Sequence, residues 1–355
     1  MFTTDQIVVD HSSNVWASRS NSSSDSKPSS SYETIILVHG NSFSNAIFKH
    51  LLPLKNEFNL RIVALNRRGF AGSTQFFTWD EEALAAISEE TKSEFHALRG
   101  VEILRFIDGF IQHECCDGKS IGGIMLVGWS LGSTFSLAAI ANVDSSLLSD
   151  ETRDRLASYL RAHVLLEPAL TSLGLPAPPD SWLSYRDPNI PTAARGRLFV
   201  NLVTAYYDYS DEILASRDST AAIGVIVPSI SRVPSIYSFS QAEYDEIVTL
   251  TPDSSVDLYY SKVLHRSVRQ AYLKACYDTK LRSALKHMKT WEVAGSRSWA
   301  FVWPTYWEIQ DDDAKAGEGE KEKFIRFMIM EGVNHFMHWD EPVQTMKTFK
   351  EILNS

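Results

Sequence analysis

The sequence predicts an α/β chain: an open, mostly parallel, twisted sheet with helices on both faces and a mainly helical lid insertion. Three observations lead there. Short apolar runs recur along the chain, helical patterns lie between them, and the alternation stops over one long central stretch. The runs are Ile35 to Val38, Ile62 to Leu65, Ile124 to Val127, Val164 to Leu166, Trp291 to Val293 and Phe327 to Met330. Each is continuous rather than alternating and is bounded by turn formers or charges. That is the pattern of strands buried on both faces of a parallel sheet.

The remaining elements follow in chain order. Gln6 to Val9 and Val15 to Ala17 suit a first antiparallel hairpin. The run 18–31, rich in serine, has too little apolar surface to order itself and is expected to be a mobile loop. Leu98, Val101, Leu104, Ile107 and Ile111 recur at three- and four-residue steps and form the apolar stripe of a helix. Ile121 to Val143 carries no charge, but its four glycines suit a buried strand, a sharp turn and a helix better than a membrane span. Pro168 to Pro191 is rich in proline, and helices are expected around Arg195 to Ser216 and His265 to Met288. Residues 168–285 therefore form the expected lid, inserted between core segments 1–167 and 286–355, over the sheet edge where open α/β sheets hold ligands. The charged run Asp311 to Lys323 is expected to be a solvated surface loop.

Composition excludes several classes. The 355 residues are 44% hydrophobic and 22% charged, which suits a globular chain whose core needs no disulfide or metal staple. A net charge of −10 repels phosphate backbones, so nucleic acid is not an expected partner. Three cysteines, with Cys115 and Cys116 adjacent and no Cys-x-x-Cys pair, suit a reducing compartment. Met1 to Asp10 lacks the basic residue and apolar core of a signal peptide, and the last residues match no peroxisomal or prenylation motif, so a cytoplasmic location is expected.

Gly128-Trp129-Ser130-Leu131-Gly132 is the most informative segment. It follows an expected strand and precedes the helical pattern Phe135 to Ala141. A serine hydroxyl is a poor nucleophile unless held out beside a base. A tight strand-to-helix turn lifts it onto the sheet edge, and the opening helix points amides at any anion that develops there. In this context the chain resembles the α/β-hydrolase superfamily, in its serine-nucleophile branch with a helical lid. His39-Gly40-Asn41 stands where that family keeps its oxyanion loop. Asn66-Arg67-Arg68-Gly69-Phe70-Ala71-Gly72-Ser73 resembles the family's acidic-x-Arg-Gly-x-Gly-x-Ser loop, with asparagine at the first position. Asn334-His335-Phe336 follows the last strand, where the family's histidine sits.

The resemblance implies an α/β-hydrolase fold, with Ser130 as nucleophile and His335 as general base. The backbone N–H of Leu131 is one oxyanion donor, and the loop at Asn41 or the N–H of Ser42 is the other. His338, three residues beyond His335, competes for the base role; His39 is expected to be structural. The acid departs from the commonest pattern: Ser298 stands where an aspartate is expected after the seventh strand. Glu167, at the end of the strand Val164 to Leu166, is the leading candidate, because a carboxylate there is costly to leave unpaired. Glu308, Asp311, Asp312 and a pair with no acid remain open.

Trp182, Tyr185, Phe199, Tyr206, Tyr207, Tyr209, Tyr237 and Phe239 make the insertion aromatic, suiting lid core and an apolar pocket. No histidine pair has zincin spacing, so neither a metal nor another cofactor is expected. The expected activity is hydrolysis of an ester, thioester or lactone of an apolar small molecule through an acyl-enzyme. A lyase or cyclase of secondary metabolism on the same scaffold, and a catalytically silent ligand-binding protein, are the alternatives. Epoxide hydrolase and dehalogenase chemistry would want aspartate at position 130.

Overall fold

The computed structural model describes residues 3–10, 13–19, 32–116, 121–177, 181–250, 257, 260, 263–317 and 323–355. An eight-stranded sheet runs in the order β1-β2-β4-β3-β5-β6-β7-β8. The hairpin of β1 (Thr3–Asp10) and β2 (Ser13–Arg19) is antiparallel, and β2 pairs antiparallel with β4 (Leu60–Asn66). From β4 onward the sheet is parallel through β3 (Tyr32–Val38), β5 (Ile121–Trp129), β6 (Leu160–Leu166), β7 (Lys289–Gly295) and β8 (Ile325–Met330). Residues 18–19 belong to β2, so the serine-rich run begins as strand. Its remainder, 20–31, lies outside the described residues.

The apolar runs are continuous because both sheet faces are covered. Ile36, Val38, Leu126 and Leu165 join the core on one face, and Ile35, Leu37, Val127 and Val164 join the core on the other. On the first face, the Glu89–Cys116 helix buries Val101, Leu104, Ile107 and Ile111. Every residue of the Gly132–Ala141 helix is buried, which explains why the charge-free stretch needs no membrane. Among the described residues no helix is long and apolar enough to cross one.

The central stretch departs from expectation in its helix lengths. The helix expected over Arg195 to Ser216 ends at Val203, as the Thr192–Val203 helix, and a new one covers Asp211–Ser216. Thr204 turns its hydroxyl back onto the Val200 carbonyl at 2.9 Å, and the Tyr207 N–H leaves to the Arg297 carbonyl at 2.9 Å. The helix expected over His265 to Met288 divides at Asp278. That residue ends the His265–Tyr277 helix and caps Thr279–Ala284 through the Leu281 N–H at 2.8 Å. The His265–Tyr277 helix also puts Val268, Tyr272 and Cys276 into the same core as the Gly132–Ala141 helix.

The charged run is not a surface loop over its first half. Residues 311–316 continue the Val302–Ala316 helix, and Asp312 and Asp313 are buried. Asp312 pairs with Arg269 at 2.8 Å. Asp313 accepts from the N–H groups of Phe324 and Ile325 at 3.0 and 2.9 Å, and so ties the helix to the start of β8. Residues 318–322 lie outside the described residues.

Candidate active site

Strand register brings the candidate residues together. Val38 pairs with Gly128, Trp129 with Leu166, Leu166 with Val293, and Gly295 with Met330. The residues that follow these strands therefore emerge side by side at the carboxyl edge of the sheet. His39, Ser130, Glu167 and Ser296 are the first of them, and His335 follows β8 after a short turn.

Ser130 sits at the bend between β5 and the Gly132–Ala141 helix with φ +54°. A serine held in this region costs about 1–3 kcal/mol, and it persists because neighbours fix the turn. The Ser130 N–H donates to the Leu166 carbonyl at 2.8 Å, and the Ser133 N–H to the Ser130 carbonyl at 3.0 Å. Gly132 is required: a Cβ there would lie 2.1 Å from the Val38 carbonyl oxygen. Leu131 and Gly132 open the helix, so their amides lack intrahelical acceptors.

His335 is 4% exposed, and its Nδ1 lies 2.6 Å from Oε2 of Glu167. Its carbonyl accepts from the Trp129 indole at 3.0 Å, so the residue before Ser130 grips the histidine's backbone. Glu167 is fully buried, also at positive φ, +54°. Its other oxygen, Oε1, accepts from the Gly295 N–H at 2.5 Å and from the Ser298 hydroxyl. Serine thus stands at the position after β7, and its hydroxyl reaches the carboxylate that follows β6.

The other candidates lie off the cavity, are engaged elsewhere or are buried in apolar surroundings. Asp311 pairs with Arg217 at 2.8 Å and Asp312 with Arg269. Glu308 lies on the same helix, and it does not line the cavity described below. His338 is fully buried against Phe48 and Trp129, and among the described residues neither ring nitrogen has a hydrogen-bond partner. Burial pushes its pKa well below the usual histidine range. His39 is also buried and pushed well down, first by burial and then by the charge of Arg67. Its Nδ1 faces the Gly40 carbonyl at 3.0 Å and its Nε2 accepts from the Arg67 N–H at 3.0 Å, a structural arrangement.

Sequence reasoning also missed the Arg67–Asp257 ion pair. Arg67 donates to the carbonyls of His39 (3.1 Å) and Gly40 (2.9 Å) while its guanidinium holds Asp257 in a bidentate pair at 2.7 and 3.0 Å. The loop bearing Asn41 is thereby clamped from below. From the other side, the Thr249 N–H donates to the Ser42 carbonyl at 2.9 Å, and the Ser44 N–H to the Ile247 carbonyl at 2.8 Å. Ser42 has φ +64°.

Ser130, Leu131, Asn41, Glu167 and His335 all line one cavity of about 210 Å³. Its walls are largely apolar and include Leu183, Phe199, Trp299 and Phe301. Of the insertion's aromatic residues, Tyr185 and Phe199 face the cavity. Tyr206 and Tyr207 are buried, Tyr209 donates to the Ser298 carbonyl at 2.8 Å, and Tyr237 is exposed. Trp182 bonds Asp187 at 2.8 Å, and Phe239 packs on Trp339.

Comparison with known proteins gives a consistent family. A search of curated protein sequences returns no match. Among solved structures, a provisionally assigned aryl esterase from Burkholderia cenocepacia aligns at 13% identity and TM-score 0.53, covering 99% of this chain and 98% of that one. A point mutant of epoxide hydrolase from Solanum tuberosum aligns at 12% identity and TM-score 0.52, covering 100% and 99%. A serine hydrolase from Cycloclasticus zankles aligns at 12% and 0.51, covering 100% and 98%. At these identities the likeness is one of fold. The model of the alpha/beta hydrolase family matches residues 35–348, and the chain belongs to that family.

Proposed function

We propose that this hydrolase-family chain is a serine hydrolase of an ester, thioester or lactone bond in a mostly apolar small molecule. The observation that carries the reading is the Glu167–His335 contact of 2.6 Å, in the same cavity as a serine at a strained bend. In this reading Ser130 attacks the acyl carbon and His335 takes its proton. The N–H of Leu131 and the loop at Asn41 receive the oxyanion, each donor worth about 2.7–4 kcal/mol in the transition state. His335 returns the proton to the leaving oxygen or sulfur, and water then releases the acyl group by the same steps in reverse. Glu167 holds the Nδ1–H tautomer, which leaves Nε2 as the acceptor for the serine proton, and stabilises the imidazolium.

The apolar walls support an acyl or aromatic group as the part recognised. The insertion, 168–285, would act as the lid through Leu183, Tyr185 and Phe199, with its His265–Tyr277 helix packed into the core. A cytoplasmic small molecule rather than nucleic acid is the partner this reading implies, in keeping with the net charge of −10. Turnover of p-nitrophenyl esters of graded chain length tests the proposal. Ser130→Ala is expected to abolish it while the circular dichroism spectrum is unchanged. Undiminished turnover in that variant would remove Ser130 from the chemistry.

A further inference from the structure

Two buried carboxyl groups lie near each other in this half of the sheet, and they are treated differently. Among the described residues the Glu167 carboxylate has three partners: His335 Nδ1 on one oxygen, and the Gly295 N–H and the Ser298 hydroxyl on the other. Glu292, on β7, is also fully buried, yet neither of its oxygens has a hydrogen-bond partner among the described residues. It pairs in register with Leu165, two residues before Glu167. Donors favour the ionised form and a dry, donor-free site favours the neutral one. Burial, and then the charge of Glu167, push the Glu292 pKa well up.

We propose that Ser298 is a positioning residue of the triad, whose hydroxyl holds the charge on Glu167 and turns the carboxylate's free oxygen towards His335. A carboxylate is acceptor-only, so the serine must donate here. Among the described residues Ser298 is the side-chain donor to Oε1, and it is fully buried, so no water takes its place at low cost. The turn that carries it is fixed on three sides. The Ser298 carbonyl accepts from Tyr209, the Arg297 N–H donates to the Val333 carbonyl at 2.9 Å, and the Ser298 N–H donates to the Gly295 carbonyl at 3.3 Å. Gly295 lets the two strand ends close, since a Cβ there would lie 2.9 Å from Glu167 Oε1 and 2.7 Å from Ser298 Oγ. The titratable groups facing Glu167 are His335, Glu292 from β7 and Tyr209 from the insertion. Burial first of all favours the neutral forms of Glu292 and Tyr209, so the charge is left to Glu167 and its donors orient it.

The inference rests on the serine hydrolase reading, and a kinetic comparison separates the two. Ser298→Ala, Ser298→Thr, Glu167→Gln and the double variant Glu167→Gln/Ser298→Ala are assayed on p-nitrophenyl butyrate, with thermal melts to confirm folding. Ser298→Ala is expected to lower kcat by about 10- to 100-fold, the loss of one hydrogen bond to a charged group, with KM little changed. Ser298→Thr, which keeps the hydroxyl, should recover most of that loss. Added to Glu167→Gln, Ser298→Ala should cost nothing further, because its effect passes through the acid. Ser298→Cys, a weak donor of nearly the same volume, repeats the comparison without opening space. A wild-type kcat in the alanine or cysteine variant, or an equal loss with and without Glu167, overturns the assignment. Full activity in Ser130→Ala would instead overturn the hydrolase reading, and this inference with it.

Discussion

Replacing Glu292 with glutamine should stabilise the protein by an amount that grows with pH. Glu292 is fully buried with no hydrogen-bond partner among the described residues, and its pKa is raised well above 4.5 by burial and then by the charge of Glu167. A group whose folded pKa lies above its unfolded value supports the fold below the unfolded pKa. That support is lost as pH rises towards the folded pKa, because the unfolded chain releases the proton first. Against an unfolded value of 4.5, linkage gives a loss of up to about 1.3 kcal/mol between pH 5.5 and 6.5, the full amount for a carboxyl that keeps its proton in the folded state throughout. Glutamine cannot ionise, so the variant lacks this loss. The stability difference, variant minus wild type, should therefore rise by about that amount between the two pH values. An unpaired amide would add a constant offset and leave the slope intact. Urea unfolding of both proteins at the two pH values measures it. A difference that does not change with pH would mean that Glu292 is ionised in the folded state, and the division of charge between Glu167 and Glu292 would be refuted.

Two further outcomes are expected. Glu167→Gln should lower kcat by about 10⁴-fold, as amide replacement of a triad acid does, while Asp312→Asn keeps turnover near wild type; p-nitrophenyl ester kinetics compare them. Buried His39, His96, His163 and His338 are held neutral, with His96 pushed down to about 4 and His163 to about 3, chiefly by burial. Folded pKa values below 6.5 mean that the unfolded chain takes up protons first on acidification. His96 and His163 should then each cost about 1 kcal/mol between pH 6.5 and 5.5, with His39 and His338 acting in the same direction, read from urea curves in the Glu292→Gln background.

What the sequence discloses and what it conceals divide along the range of the interactions. The strands are legible because burial on both faces leaves unbroken apolar runs, and Ile35 to Val38 is wholly buried as such a run requires. The bend at Ser130 is legible because Gly132 must clear the Val38 carbonyl, and glycine spacing records it. Glu167 stands out as a strand-end carboxylate in need of a partner, and the structure supplies His335, Gly295 and Ser298. The Ser298 contact itself is invisible in sequence: it spans 131 residues and depends on how β6 and β7 register. Arg67 and Asp257, 190 residues apart, are equally silent. The broken helices escaped because Thr204 and Asp278 act through capping and back-bonding that a periodic pattern does not carry. Asp312 and Asp313 look like solvated charges until Arg269 and the amides of β8 are placed beside them.

A fluorophosphonate probe followed by peptide mapping addresses the chemistry most directly. The folded wild-type chain should carry the adduct on Ser130, with none on Ser130→Ala and a much slower reaction on His335→Ala. A folded wild-type chain that stays unmodified, or is modified at another residue, would contradict the account.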